Sequence, residues 1–388
     1  MSARRFIVVG GGFAGAAAAA HLHSQGATVV LLDERPMLGG RARSDAMDGL
    51  TIDVGAQLVT TSFARTLRLL NGGGAAQRAA TLRKTGGRDA LVMDGRRYPI
   101  QFGSIRSLLS FSRLSAMEKL KLGRHLLPLL ARHRHHLDAS AEQLPPALDR
   151  ESARQFVEAN VGAHAADLLV EPSLNPFYGA AGSETSLAFF LTLGRYGAES
   201  DLLAPADGWS AALAVRLRDV TTELGARAVA IDVENGGVRV RTADGRSHVA
   251  DGVVLATGAR TAQALLAPLL SAEHPLLRWL SAVEVRRTWT LALSLDAVPR
   301  RDAFGLFAPP GSAGKVSACA VHGAKLGGAA PPGRDVVLAW PTPPLALELG
   351  DAEAERIVDA MMPDVERMVP ECRGRVTRAR VYRFDEGT

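Results

Sequence analysis

Glycines at 10, 12 and 15, directly behind the apolar run 6–9, constrain this chain more than any other feature. The spacing is G-x-G-x-x-G, and each glycine has its own physical reason. Gly10 permits a tight turn, Gly12 lets a pyrophosphate approach bare backbone, and Gly15 lets the next helix pack close to the strand. That helix is expected over 13–25, stopped by Gly26. Its first turn, with Phe13 and Ala14, directs free N–H groups and the positive end of the helix dipole at an anion. Residues 28–32 form a second apolar run, too continuous for a solvent-facing strand and expected in a buried parallel sheet. The run ends at Asp33, 23 residues after Gly10. A carboxylate there can accept the ribose hydroxyls of an adenosine and would repel a 2′-phosphate. Glu34 is the alternative for the same role. Strand, helix, strand and acid in this order predict a dinucleotide site; the competing reading is a tight turn with no ligand.

Composition bounds what such a site can belong to. A chain of 388 residues, 47% hydrophobic and 22% charged, is globular and long enough for two domains or one large discontinuous unit. The net charge of +5 is almost wholly arginine, with five lysines among 45 basic residues. Arginine-rich codon usage accounts for this more simply than attraction to acidic partners. No basic stripe interleaved with aromatics argues for nucleic acid. Cys319 and Cys372 have no metal or redox spacing and suggest free thiols in a reducing, cytoplasmic compartment. The chain opens on a core strand, so no secretory signal is expected. No uninterrupted apolar run of about eighteen residues is present to span a bilayer.

The stretch Leu38-Gly-Gly40-Arg41-Ala-Arg43-Ser44 adds a second pair of glycines and an arginine suited to a phosphate. A nicotinamide dinucleotide needs no second clasp at that point, whereas a bulkier cofactor does. These residues resemble the flavin-containing amine oxidase superfamily, which includes monoamine oxidases, protoporphyrinogen oxidases and phytoene desaturases. Its members carry the glycine loop, an acid ending the second strand, and then G-G-R. Asp33 stands where the family usually has glutamate. Ile52-Asp-Val-Gly55-Ala56-Gln57 is similar to the segment that runs beneath the flavin ring. The resemblance also implies a backbone contact to adenine from the strand containing Val229. It extends, more loosely, to the protoporphyrinogen oxidase branch through Glu151-Ser-Ala-Arg-Gln-Phe156, Glu171-Pro172 and Asn175-Pro-Phe-Tyr178-Gly179. The implied cofactor is FAD.

The expected fold class is α/β. A Rossmann-type FAD-binding domain, discontinuous over 1–75 and 203–265, is joined by a helical substrate or cap region over 76–202. A mixed α+β substrate domain follows over 266–388. Hairpins are expected over 82–99, and helices over 104–137 with interruptions at Gly123 and Pro128. Asp207-Gly208-Trp209 precedes the helix that returns the chain to the nucleotide domain. A strand over 226–232 and a hairpin over 238–249 follow. A buried strand at 251–258 then ends in small residues at the sheet's carboxyl edge. Strands at 291–295, 316–321, 336–340 and 375–384 and a helix at 351–362 complete the pattern.

Two departures from the family pattern bear on chemistry. Members of the superfamily end on a Gly-Asp pair and a glycine-rich turn into a last helix that closes the flavin site. Gly350-Asp351 reads instead as a helix cap, so the chain is expected to be a fragment without that segment. Amine oxidases of the family often set a lysine opposite the flavin; 282–295 holds Arg286, Arg287 and Thr288 but no lysine. That favours a porphyrinogen or isoprenoid substrate over an amine.

The expectation is an FAD-dependent oxidoreductase. It would dehydrogenate a bulky, largely apolar, porphyrin-like substrate by hydride transfer to the flavin, with oxygen or another acceptor reoxidising it. A carotenoid desaturase and an amine oxidase are alternatives within the family; a non-catalytic nucleotide-binding protein is the alternative outside it. Arg88 is a candidate partner for a substrate carboxylate, set against a plain surface arginine. No catalytic residue is singled out. The histidines at 133 and 136 lack the carboxylate or thiol that would complete a metal set. The 104–137 helices either pack on the substrate domain or touch a membrane peripherally.

Overall fold

The computed structural model describes residues 3–72, 81–86, 88–138, 144–234, 236–312, 314–326 and 332–387. Contacts divide the chain into two units. The first is Met1–Val59 with Phe63–Arg83 and Ala204–Arg286. The second is Thr60–Ser62 with Lys84–Leu203 and Arg287–Thr388.

In the first unit, the strand Arg5–Val9 (β1) lies inside a four-stranded parallel sheet. The order is Thr221–Leu224, then Thr28–Asp33 (β2), then β1, then Gly252–Leu255. Val8 pairs with Leu31 on one side and Val254 on the other, and Val8 and Leu31 are fully buried. The apolar runs of β1 and β2, the two inner strands, follow from burial on both faces. The helix Phe13–Ser24 (α1) is largely alanine and buries Gly15, Ala16 and Ala19, so it can lie close to the strands. A three-stranded antiparallel sheet, Ala228–Glu234, Gly237–Thr242 and Ser247–Ala250, contributes Ile231, Val240 and Ala250 to a cluster with Ile7, Val9 and Leu32.

Two expectations change here. Thr221–Leu224 is a strand that the sequence did not mark, because three of the four residues in Thr221-Thr-Glu-Leu224 are polar and it sits at the sheet's edge. Gly252–Leu255 is half-buried rather than buried, because it holds the opposite edge.

The second unit is built on a seven-stranded sheet. Its order is Val376–Phe384, Thr288–Leu295, Asp335–Pro341, Val316–Val321, Gly305–Phe307, Asp89–Met93 and Arg96–Ile100. The early hairpin Asp89–Met93/Arg96–Ile100 thus shares a sheet with strands from the last hundred residues; its link, Gly305–Phe307 beside Asp89–Met93, is parallel. Helices Ala153–Asn160, Ala163–Leu169 and Glu171–Tyr178 pack Val157, Leu168 and Leu174 into a core with Leu91, Ile100 and Phe307.

The helix Ala116–His133 runs through Gly123 and Pro128 without a break, contrary to the expected interruptions. A capping box of Ser115 and Glu118 starts it, and Leu122 and Leu126 hold it to the core on one face. Gly350-Asp351 is no cap: the helix is Ala354–Met368 with Glu353 at its N-cap, and Asp351 pairs with Arg287. Cys319 and Cys372 are free and buried, and burial raises the Cys372 thiol to about 12, which leaves it unreactive.

Candidate cofactor site

The carboxyl end of β1 opens into the glycine loop, and the loop is held by backbone. Gly10 N–H donates to Leu32 O at 2.8 Å, fixing the turn to the end of β2. Gly15 admits no side chain, since a Cβ there would stand 1.8 Å from Gly10 O. Gly12 differs in kind. Its φ of −75° suits any residue, and a Cβ would meet nothing nearer than 4.0 Å. Among the described residues a Cβ at 12 would make only ordinary contacts, with Gly39 O and Gly40 Cα, so no close approach demands glycine there.

Asp33 faces this loop. Its Oδ2 accepts Gly11 N–H at 2.5 Å and its Oδ1 accepts Arg35 N–H at 2.8 Å. A carboxylate has about four lone-pair sites, so two remain for hydroxyl donors. Glu34 is exposed and lies 4.0 Å from Arg227 Nε. Of the two acids, Asp33 is the one aimed at the glycines.

The second glycine pair meets the first. Gly39 N–H donates to Gly11 O at 2.9 Å, and a Cβ on Gly40 would lie 3.3 Å from Gly12 Cα. Gly39 and Gly40 both have positive φ, +119° and +56°. Arg41 O accepts Ala56 N–H at 3.1 Å, which brings the 55–57 segment to the same place. The Arg41 side chain is exposed. The buried guanidinium is that of Arg43, 6% exposed, whose Nη1 donates to Gly40 O at 3.2 Å. Sequence reasoning chose the arginine next to the glycines and passed over the one that braces them.

Sequence reasoning also missed a clasp beneath the loop. The strands Ser44–Met47 (β3) and Leu50–Asp53 (β4) form a hairpin. Ser44 Oγ donates to Asp53 Oδ1 at 2.5 Å, and Trp209 N–H donates to the same oxygen at 3.1 Å. Ser210 N–H donates to Ser44 Oγ (3.2 Å), Ser44 N–H to Ser210 Oγ (2.9 Å), and Ser210 Oγ to Leu38 O (2.7 Å). Asp53 is 2% exposed. Gly208, at φ +82°, lets the chain pass: a Cβ would lie 2.6 Å from Ser44 Oγ. The buried Trp209 ring then meets Phe13 edge-on, centroids 5.5 Å apart. Gln57 Nε2 donates to Gly55 O at 3.0 Å and to Asp53 O. Asp207-Gly-Trp209 was visible in the sequence as a helix entry, but its bonds to Asp53 were not.

Val229 sits at a bulge between Ala228 and Ala230, half exposed and out of register with Gly237–Thr242. A bulge frees backbone groups from the ladder, as a main-chain contact to a base requires. Arg88 belongs to the second unit; its side chain is exposed and its carbonyl accepts Phe304 N–H at 2.7 Å. Beside it, loss of water around the Asp89 carboxyl raises it to about 7, against the pull of the Gly305 N–H. No group of three or more potential metal ligands occurs among the described residues.

The loop, Asp33, the second glycine pair and the 55–57 segment therefore converge, with bare backbone at Gly12. The donor set fits a dinucleotide's pyrophosphate and ribose: N–H groups at a helix N-terminus for the first, a fixed carboxylate for the second.

A sequence model of the flavin containing amine oxidoreductases matches residues 13–386. Human lysine-specific histone demethylase 2 is 26% identical over 257 residues, 64% of this chain, and the chain spans 29% of that protein's length. Among solved structures, a provisionally named protoporphyrinogen oxidase from Exiguobacterium sp. 255-15 is similar, with TM-score 0.69 and 20% identity, covering 100% of this chain and 88% of its own. Putrescine oxidase bound to putrescine gives TM-score 0.70 at 15% identity, over 100% and 89% of the two chains. At these identities the structural likeness speaks for the fold.

Proposed function

This chain belongs to the flavin containing amine oxidoreductases, a family of FAD-dependent oxidoreductases, and on that footing we propose that its first unit binds FAD and that it dehydrogenates a bulky, largely apolar substrate. The observation that carries the reading is Gly12, a glycine with ordinary φ whose missing Cβ would meet no described atom nearer than Gly39 O and Gly40 Cα at 4.0 Å. The N–H groups of the loop and the first turn of α1, Phe13 to Gly15, would hold the pyrophosphate. Asp33 would accept the ribose hydroxyls with its two remaining lone pairs. Gly40 and Arg41 would take the second phosphate side, with Arg41 free to swing because its side chain is exposed. Residues 55–57 would lie under the ring system, and Val229 would offer backbone to adenine. Bound FAD supplies the hydride acceptor. The protein's part is to orient it and keep its charge paired.

For the substrate we favour a porphyrinogen-like molecule. The lack of lysine over 282–295 and the likeness to the Exiguobacterium protein support it. Arg88, exposed and without an ion-pair partner among the described residues, is the proposed contact for a substrate carboxylate. An amine substrate keeps one argument, the buried Lys325 at 2% exposure. Oxygen or another acceptor would close the cycle.

The test is spectroscopic. Purified protein, reconstituted with FAD, should show a flavin spectrum that bleaches anaerobically with the true substrate from a panel of porphyrinogens, carotenoid precursors and amines. Protein that neither carries nor takes up FAD would leave a non-catalytic nucleotide-binding role in its place.

A further inference from the structure

Asp89 opens the strand Asp89–Met93, and its side chain lies over a glycine of the next strand. That glycine is Gly305, where a Cβ would stand 2.6 Å from Asp89 Oδ1 and 2.8 Å from Phe307 Cε2. Carboxyl and ring therefore cover the same glycine from one face of the sheet. Gly305 N–H donates to the carboxyl, and Ile100 lies opposite on the other side. Arg88 precedes it with an exposed side chain, and no ion pair holds Asp89 among the described residues. The carboxyl is half-buried, so water and a ligand can both reach it.

Aromatic rings continue from Phe307. This ring is 4% exposed and meets Phe102 edge-on and Phe177 at a tilt of 39°, each with centroids 5.5 Å apart. Phe177 lies near the end of the helix Glu171–Tyr178 and is 52% exposed. A half-exposed ring anchored on a buried one offers a π face in fixed orientation, on which a second ring can stack. All of these residues belong to the second unit.

Dehydrogenation across carbon and nitrogen removes a hydride and a proton, and each needs its own acceptor. The C–H electron pair leaves as hydride, for which bound FAD is the acceptor proposed above. The N–H bond then gives its proton to a base, and its electron pair becomes the new π bond at nitrogen. In a conjugated ring system the nitrogen stands several atoms from that carbon, so base and hydride acceptor need not touch. Resting on that dehydrogenation reading, we propose that Asp89 is the base: its carboxylate takes the N–H proton of a pyrrole-type ring stacked on Phe177, and passes it to water. Loss of water around the carboxyl sets it at about 7. A base there is substantially ionised at neutral pH and still holds a proton well. Arg88, one residue earlier, is the contact already proposed for a carboxylate of the same substrate. A carotenoid precursor has no N–H proton to give, so the base selects a nitrogen-bearing substrate.

Protein loaded with FAD is mixed anaerobically with a porphyrinogen, and flavin bleaching is followed in single turnovers between about pH 5 and 9. The wild-type rate should rise by about tenfold per pH unit below 7 and level off above. Asp89→Asn should bleach more slowly by about 100-fold or more, without that rise. Its affinity for FAD should match that of wild type, since Asp89 lies outside the first unit. A flat wild-type profile, or an Asp89→Asn profile like that of wild type, would overturn the proposal. The stacking ring is tested without turnover: a free-base porphyrin, titrated by its fluorescence, should bind Phe177→Ala more weakly by about tenfold. Equal binding would overturn the stacked pose. Bleaching by carotenoid precursors and by no N–H substrate would overturn the base and leave the dehydrogenase standing. Failure to take up FAD would overturn the underlying reading and the base with it.

Discussion

The glycine loop at 10–15 and the clasp of Ser44, Asp53, Trp209 and Ser210 hold one part of the first unit by opposite means. In the loop the bonds are main-chain, Gly10 N–H to Leu32 O and Gly39 N–H to Gly11 O, and what matters is the side-chain atoms left out. In the clasp what matters is the side-chain atoms put in: two hydroxyls and a buried carboxylate that join residues 156 and 166 positions apart. A loop of the first kind tolerates no added atom. A clasp of the second kind tolerates no lost one, because a buried donor left without its acceptor costs about 1–3 kcal/mol.

The largest effect that contrast demands is at Gly15. A methyl group 1.8 Å from Gly10 O cannot be accommodated by a side-chain shift, since both neighbours are backbone. Gly15→Ala should lose at least about 3 kcal/mol of stability in urea titration, or fail to fold in soluble form. Wild-type stability in that variant would mean that close approach of α1 to β1 is not what the glycine serves.

Next comes the clasp. Asp53→Ala leaves Ser44 Oγ and Trp209 N–H without an acceptor in a site 2% exposed. A loss of about 2–4 kcal/mol follows, with FAD affinity falling in parallel as the 55–57 segment loosens. Asp53→Asn keeps an acceptor oxygen and should lose roughly half as much. If Asp53→Ala melts within about 0.5 kcal/mol of wild type, the clasp is ornamental and the loop alone holds the site.

The same contrast explains what could be read from the chain alone. The loop was legible because its causes are local: the strand 6–9, the spacing 10, 12, 15, and Asp33 one strand later all lie within thirty-odd residues. Asp53 and Ser210 were not legible as partners, because no spacing rule links a hairpin end to a helix start so far down the chain. Arg43 was missed for a related reason: its neighbour Arg41 stands nearer the glycines, and only burial distinguishes the two. The edge strand Thr221–Leu224 carried too little apolar pattern to show, and Ala116–His133 runs on past Pro128, a residue that reads as a break in the sequence.

Asp89 sharpens the comparison as a half-buried carboxyl without a clasp. Loss of water raises it to about 7, and the Gly305 N–H only partly opposes that. The folded protein keeps the proton to higher pH than the unfolded chain, whose Asp titrates near 3.8. The contribution of Asp89 to stability should therefore be greatest below about pH 4, decline as pH rises towards 7, and level off above. A decline of about 1–2 kcal/mol allows for the water that reaches a half-buried group. Asp89→Asn, an imitation of the protonated acid, should flatten the profile in melts between pH 4 and 8. An Asn variant with the same slope as wild type would place the titrating group elsewhere.

The smallest effect on stability is the most informative about ligand binding. At Gly12 an added Cβ meets no described atom nearer than 4.0 Å, and φ of −75° is comfortable for alanine. The lost freedom of glycine in the unfolded chain favours Ala, while the N-cap position slightly disfavours it, so Gly12→Ala should stay within about 1 kcal/mol of wild type. Its affinity for FAD should nonetheless fall by about 10- to 100-fold, the worth of one hydrogen bond to a charged phosphate. Urea melts of the apoprotein and a fluorescence titration with FAD separate the two quantities. A variant that binds FAD as tightly as wild type would show that the space beside Gly12 is not where the pyrophosphate lies. The glycine spacing would then have no functional reason at its middle position.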